Sequence, residues 1–122
     1  MKRLVTAAVI TVLSWTGATA FEGRYAIKGS STGGAHPYSG QALVRRNGDV
    51  FNVLWETTAG RYLGTGILTG SVLSIVFRDQ AGAGPPGVAA LSIANNRIGS
   101  GRWSTFGTNA TGTEDWTLQP AP

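Results

Sequence analysis

Gly64, Gly66 and Gly70 form a G-x-G-x-x-x-G string within RYLGTGILTGS, residues 61–71. Glycine strings bind phosphate when they follow a strand and open a helix, because free N–H groups at the helix start then hold the anion. Here the string is followed by SVLSIVF, which alternates like another strand, and no Lys-Ser or Lys-Thr pair follows. The context therefore argues against a nucleotide site, and predicts that these glycines serve the packing of a strand.

Residues able to act as acid, base or nucleophile are scarce. His36, the single histidine, lies in the Gly-rich segment STGGAHPYSG. Catalysis there would require Ser31, Ser39 or Asp49 within hydrogen-bonding reach, and the spacing does not indicate that. We interpret His36 as a loop residue and predict no catalytic site. With no cysteine and one histidine, thiolate and His-rich metal sites are excluded, and we expect no metal or other cofactor.

Glu114 and Asp115 are adjacent, so on a strand they point to opposite faces and cannot form the carboxylate pair of a glycoside hydrolase. Glu114 shares its face with Trp116. If that face is interior, Glu114 is a buried acid that needs a partner, for which Arg102 and Arg24 are candidates. Because unpaired interior acids are costly, we expect instead that Glu114 lies half-solvated at a rim.

Aromatic side chains are the remaining candidates for binding. Six of them fall on predicted strands: Tyr25, Trp55, Tyr62, Phe77, Trp103 and Trp116. They either fill the interior of the domain or line an apolar pocket for one small ligand, since an eight-stranded barrel is just wide enough for both arrangements. Geometry favours filling, and the pocket stays open as the alternative.

The elements that must position these residues are short alternating segments separated by turn residues, the pattern of an all-β domain. In DVFNVLWET, for example, Phe51, Val53 and Trp55 share one face. Asn47-Gly48 predicts a hairpin with a type I′ turn. QAGAGPPG, residues 80–87, is predicted to be a loop, because proline cannot donate to a central ladder. No segment of the mature chain sustains an apolar period of 3.6, so we expect very little helix.

Eight predicted strands joined by tight consecutive turns favour an antiparallel up-and-down meander that closes into a small barrel, with a two-sheet β-sandwich as the alternative. Strands with small residues at alternate sites, such as YLGTGIL, lie between strands that carry large aromatic ones. IGSGRW places Gly99, Gly101 and Trp103 in one phase. We therefore predict that the glycines make room for aromatic side chains of neighbouring strands.

The N-terminus predicts export. Residues 1–20 have a short basic start, an apolar run from Leu4 to Leu13 and the small-residue motif Ala18-Thr19-Ala20, which is the layout of a secretory signal peptide. Residues 21–122 then form a single domain with no disulfide, in the periplasm or secreted, and no membrane span is expected after cleavage.

The mature chain would keep 8 of the 10 basic residues and all 6 acidic ones. This mild, scattered charge argues against a nucleic-acid surface.

The chain resembles a family of small exported bacterial β proteins. The residues that carry the resemblance are Gly23-x-Tyr25, Tyr38-x-Gly40, Phe51-x-Val53-x-Trp55, Tyr62-x-Gly64-x-Gly66, Gly101-x-Trp103 and GTEDWTLQP. The resemblance covers nearly the whole mature chain. It implies an exported β-meander and little about chemistry, since members are mostly uncharacterised and some are loosely labelled fibronectin-binding. The strand layout is also similar to avidin-type and lipocalin-type barrels, but no ligand motif of either is carried over.

The leading hypothesis is a non-enzymatic binding module, with a small apolar ligand in the barrel or an extracellular macromolecule at the loops. Candidate contact residues for a protein partner are Arg45 and Arg46 beside the first hairpin turn, and Pro85 and Pro86 in the loop. The alternative is an inhibitor of an exported hydrolase that presents AGAGPPG, whose prolines limit the entropy lost on binding. An enzyme is disfavoured by the poor supply of His, Cys and clustered acids.

Overall fold

The computed structural model describes residues 21–120, and the predicted signal peptide lies outside this part. Within it, eight antiparallel strands form a closed barrel in chain order. They are β1 (Gly23–Ser30), β2 (Pro37–Asn47), β3 (Val50–Thr57), β4 (Gly60–Thr69), β5 (Val72–Asp79), β6 (Gly87–Ala94), β7 (Arg97–Thr105) and β8 (Gly112–Leu118), with a short 3-10 helix at Thr32–Gly34. The predicted meander is confirmed, and it closes as a barrel instead of splitting into a sandwich.

Closure comes from pairing of the first strand with the last. Tyr25 lies opposite Leu118 and Gly29 lies opposite Glu114, so β8 is hydrogen-bonded on both sides and no strand edge is left open. No helix in the described part is long and apolar enough to cross a membrane.

The connections alternate between two ends of the barrel. The turns 48–49, 70–71 and 95–96 lie at one end, together with residues 21–22 and 119–120; we call this the closed end. The connections 31–36, 58–59, 80–86 and 106–111 lie at the other, which we call the open end. Turns at the closed end have two residues each, whereas three of the four open-end connections are longer.

The predicted hairpin at Asn47-Gly48 forms, but its turn type differs. Asn47 is paired with Val50, so the two central residues are Gly48 and Asp49, and of these only Gly48 has a positive φ, at 64°. A positive φ at the first central position alone belongs to a type II′ turn, not type I′. The type I′ pattern occurs instead at Asn95 and Asn96, with φ of 54° and 60°.

The opening glycine string lies on a strand, as predicted. A Cβ added at Gly64 would approach Ile75 Cγ2 to 2.7 Å and Trp55 Cζ3 to 2.9 Å, and one at Gly66 would approach Ile75 Cγ1 to 2.9 Å. All three distances are closer than packed carbon atoms allow. The glycines therefore leave room for an isoleucine as well as for an aromatic ring.

The predicted common face is correct for Gly101 and Trp103 but wrong for Gly99. Leu91 pairs with Gly101 but Ile93 pairs with Ile98, so β7 carries an extra residue and the ladder has a bulge. The bulge reverses the phase: Ile98 is buried and Gly99 is exposed. The Ser92 hydroxyl stabilises the irregular segment, because it donates to the Ser100 carbonyl at 3.0 Å and accepts from the Ser100 N–H at 3.4 Å.

The closed end is filled by a packed core. Phe21 covers it, with its ring centroid 4.9 Å from that of Phe51. Above it Tyr25 is fully buried, and its hydroxyl donates to the Phe21 carbonyl at 2.7 Å while accepting from the Ile98 N–H at 3.4 Å. Further aliphatic side chains complete the layer: Val44, Val53, Leu73 and Leu91. Buried side chains thus pack against one another in this half of the barrel.

Candidate ligand cavity at the open end

The open half of the barrel contains a cavity of about 460 Å³. This volume lies in the range of small-molecule sites. Its walls are aromatic and its rim is polar: the lining includes Tyr38, Trp55, Tyr62, Phe77 and Trp103 inside, and Ser31, Thr32, His36, Thr57, Thr58 and Thr105 towards the mouth. The sequence left open whether the aromatic side chains fill the barrel or line a pocket. Side chains pack the closed end, whereas the open end contains the cavity.

The aromatic walls depend on glycines directly across the sheet. Three rings each lie over a glycine that is their register partner on the next strand: Tyr38 over Gly29, Phe77 over Gly87, and Trp103 over Gly112. A side chain at any of these glycines would overlap the ring. The small residues therefore let the rings lie flat along the wall, and this leaves the centre of the open end empty.

The rings also contact one another in an almost continuous band. Phe77 lies at its centre, with its ring centroid 5.6 Å from Trp55, 6.0 Å from Tyr62 and 6.3 Å from Trp103. Tyr38 continues the band at 6.3 Å from Trp103. Most of these contacts are edge-to-face, an arrangement that aromatic pairs favour. The wall is thus held in a defined shape before any ligand enters.

Glu114 forms the polar base of the cavity. Its Oε1 accepts hydrogen bonds from the indole N–H of Trp116 at 2.9 Å and of Trp55 at 3.2 Å, and its Oε2 accepts one from the Tyr38 hydroxyl at 2.5 Å. The two indole N–H groups donate to one carboxylate oxygen and the Tyr38 hydroxyl donates to the other, so both oxygens act as acceptors. The side chain lines the cavity but is only 8% exposed.

The expectation of a half-solvated Glu114 is therefore wrong. The alternative of burial is correct, but not with an arginine partner, since Arg24 and Arg102 are exposed on the outer face. Three neutral donors make the burial tolerable, because hydrogen bonds offset part of the loss of water around a carboxylate.

Tyr38 is held in its protonated form. Burial is the main cause of the rise in its pKa; the negative charge of Glu114 and the hydrogen bond donated to that carboxylate raise the pKa further. The phenol is therefore a permanent donor at the cavity base throughout the physiological range.

Trp103 has the one buried polar side-chain atom of the described residues that lacks a hydrogen-bond partner, its indole Nε1. The N–H lies near enough to the Tyr38 hydroxyl to oppose slightly the rise in its pKa, but outside hydrogen-bonding geometry. Unpaired buried donors are rare and costly, and this N–H is covered by the protein itself.

Of the six aromatic residues predicted from the sequence, the structure brings four together at the cavity: Trp55, Tyr62, Phe77 and Trp103. Tyr25 belongs to the closed-end core. Trp116 lies between the two regions, 5.3 Å from Tyr25 and 6.1 Å from Trp55 by ring centroids, and acts through Glu114.

The predicted protein-contact residues are exposed, but they lie apart. Arg46 is beside the closed-end turn, where its Nε donates to the Gly48 carbonyl at 2.8 Å, whereas Pro85 and Pro86 are in the open-end loop. Arg45 and Pro86 both contribute to a groove on the outer wall. The four residues do not form one patch.

Sequence reasoning missed Tyr38 and Glu114 as members of the site. The sequence did contain a signal for Tyr38, since it shares the Y-x-G pattern of Tyr62. That Tyr38 lies opposite Gly29, however, could be seen only from the pairing of the two strands. His36 lies exposed at the mouth, and its backbone N–H donates to Ser31 Oγ at 3.0 Å. Within residues 21–120 no cluster of three His, Asp or Glu side chains could hold a metal ion.

Comparison with known proteins adds no family. No protein-family model matches the sequence, and no curated protein matches it with significance. The resemblance to small exported β-meander proteins therefore stays a prediction.

Proposed function

We propose that this protein is an exported binding protein for a small, largely apolar ligand, which it holds in the open-end cavity. The observation that carries the proposal is the pairing of an aromatic wall with an empty volume of about 460 Å³. Export, to the periplasm or the medium, rests on the signal-peptide pattern of residues 1–20.

The composition of the cavity supports this proposal. Apolar and aromatic lining with a few convergent polar groups is the usual character of a small-molecule site. The polar groups here are the carboxylate of Glu114 and the hydroxyl of Tyr38, which are hydrogen-bonded to each other.

Native mass spectrometry of the protein purified after export tests the proposal, together with the fluorescence of its buried tryptophans. We expect a retained small-molecule mass, and a change in tryptophan emission when that molecule is removed and added back. A bare monomer from every preparation, with no molecule able to alter the emission, would contradict the proposal.

Ala89 and Ala90 offer a matched pair of variants for that experiment. Ala89 lines the cavity and is buried, whereas Ala90, its neighbour on β6, is exposed on the outer wall. Ala89→Leu should fill part of the cavity and weaken binding, while Ala90→Leu should leave binding unchanged.

A hydrolase inhibitor remains the alternative hypothesis. In its favour, residues 81–86 are all exposed, and the Ala81 N–H donates to Asp79 Oδ1 at 2.7 Å at the start of the loop. This feature says nothing about a particular enzyme, so we prefer the hypothesis based on the cavity.

A further inference from the structure

Building on the proposed ligand cavity, we infer that the ligand is an organic cation, with an ammonium or similar positively charged group that contacts Glu114 and the surrounding aromatic rings. Three features of the described residues lead to this inference.

The first is the uncompensated charge of Glu114. Its three hydrogen-bond partners, Tyr38, Trp55 and Trp116, are neutral. The ion pair found among residues 21–120, between Arg61 and Glu56, lies on the outer surface at 3.4 Å and does not involve it. The three neutral donors offset only part of the cost of burying the carboxylate; a nearby opposite charge would offset more, and no Lys or Arg lines the cavity to supply one.

The second is the free acceptor capacity of that carboxylate. An ionised carboxylate has about four lone-pair sites, and three are occupied. Oε1 accepts two hydrogen bonds but Oε2 accepts only the one from Tyr38. Because Glu114 is part of the cavity lining, a donor carried by a ligand can use the remaining site.

The third is the aromatic band around the carboxylate. A cation within about 6 Å of a ring centroid is attracted to the face of that ring, most strongly for Trp. Trp55, whose N–H contacts Glu114, and Phe77 both line the cavity, so a cation bound beside the carboxylate can contact more than one ring. The same surroundings exclude an anion, which would meet the charge of Glu114 in a partly dry site.

The inference can be tested with three probes of similar shape: phenethylammonium, 2-phenylethanol and phenylacetate. Isothermal titration of each into the purified protein should give affinity in that order, with the cation binding about tenfold or more tighter than the alcohol, as expected for charge and cation–π contacts together.

Two variants locate the effect. Glu114→Gln keeps an acceptor for the two indoles and removes the charge, so it should abolish the preference for the cation. Asp115→Asn removes the same charge from the adjacent, exposed position and should leave the preference intact.

The outcomes separate the two proposals. If the alcohol binds the unaltered protein as tightly as the cation, or if Glu114→Gln retains the preference, the inference of a cationic ligand is overturned while a ligand cavity stands. If none of the three probes binds, and the exported protein carries no retained mass, both proposals fail. Because the first comparison uses only the unaltered protein, a folding defect in the Gln variant would not obscure it.

Discussion

Glu114 connects three strands through one side chain. Its donors come from β2 (Tyr38), β3 (Trp55) and β8 (Trp116), so the carboxylate fixes the positions of three rings on the cavity wall. Because its three donors are neutral, the Glu114 carboxylate holds the rings in place but has no positive charge beside it. These two properties are the ones a cation-binding site needs.

Tyr38 should make the stability of the protein depend on alkaline pH. In the unfolded chain a tyrosine ionises near pH 10, whereas burial and Glu114 raise the pKa of Tyr38 above 10.0 in the folded state. The folded state therefore binds a proton that the unfolded state has lost. Stability from this residue is complete below about pH 10 and decreases as the pH rises above it.

Thermal unfolding measured between pH 8 and pH 12 for the unaltered protein and Tyr38→Phe checks this expectation. The variant should lose less stability between pH 10 and pH 12, although it is less stable at pH 8 because Glu114 loses a donor. Tyr25, whose pKa is also raised, mainly by burial, retains its own share of the alkaline loss in both proteins. Parallel curves for the two proteins would contradict the assignment.

At the scale of the elements, several aromatic residues are paired with a glycine on the neighbouring strand. Alternation along the sequence predicted the strands and the meander, because each inward-facing residue repeats with period two. It also predicted that Gly64 and Gly66 provide space. It failed at β7, where strict alternation places Ile98 and Ser100 on one face, whereas the bulge buries Ile98 and leaves Ser100 exposed.

The site was harder to predict than the fold for a physical reason. Two of the three partners of Glu114, Trp55 and Tyr38, are 59 and 76 residues away along the chain, and only barrel closure brings them to it. Whether the barrel is hollow depends on whether the aromatic side chains fill the space that glycines leave on neighbouring strands. That comparison involves several strands, so no single segment of the sequence reveals it.

Replacing a glycine of the wall tests this arrangement. Gly64→Ala should lower the free energy of unfolding by about 1–3 kcal/mol, because the added methyl would overlap Ile75 and Trp55 and force the packed core to shift. Urea denaturation followed by tryptophan emission measures both the stability and the displacement of Trp55.

Gly99→Ala is the matched control on the outer face. Its added methyl would meet no atom closer than Ser92 Oγ at 3.7 Å, so we expect a change within about 0.5 kcal/mol. Equal losses for the two variants would show that glycine flexibility, and not space, matters at Gly64.

At the scale of the whole molecule, stability depends on closure. β8 pairs with both β1 and β7 and supplies Glu114 and Trp116 to the interior. A chain ended after residue 111 should therefore lose cooperative unfolding and aggregate, because two strand edges and the core would be exposed. Circular dichroism and size-exclusion chromatography measure this.

A chain ended after residue 120 is the control for that truncation. It keeps β8 and the hydrogen bond from the Gln119 N–H to the Arg24 carbonyl at 2.8 Å, and should unfold like the full chain. A folded monomer from the shorter chain would show that an open sheet suffices.

Residues 21 and 120 both lie at the closed end, opposite the mouth of the cavity. An attachment made at residue 21 or at residue 120, such as a tag, a fused reporter or a bead, therefore starts from the end of the barrel opposite the entrance. Immobilised in this way, the barrel presents its mouth to the solution, and an environment-sensitive dye near Thr58 or Thr105 would report what enters it. The same geometry suits the protein for use as a sensor built without altering the cavity itself.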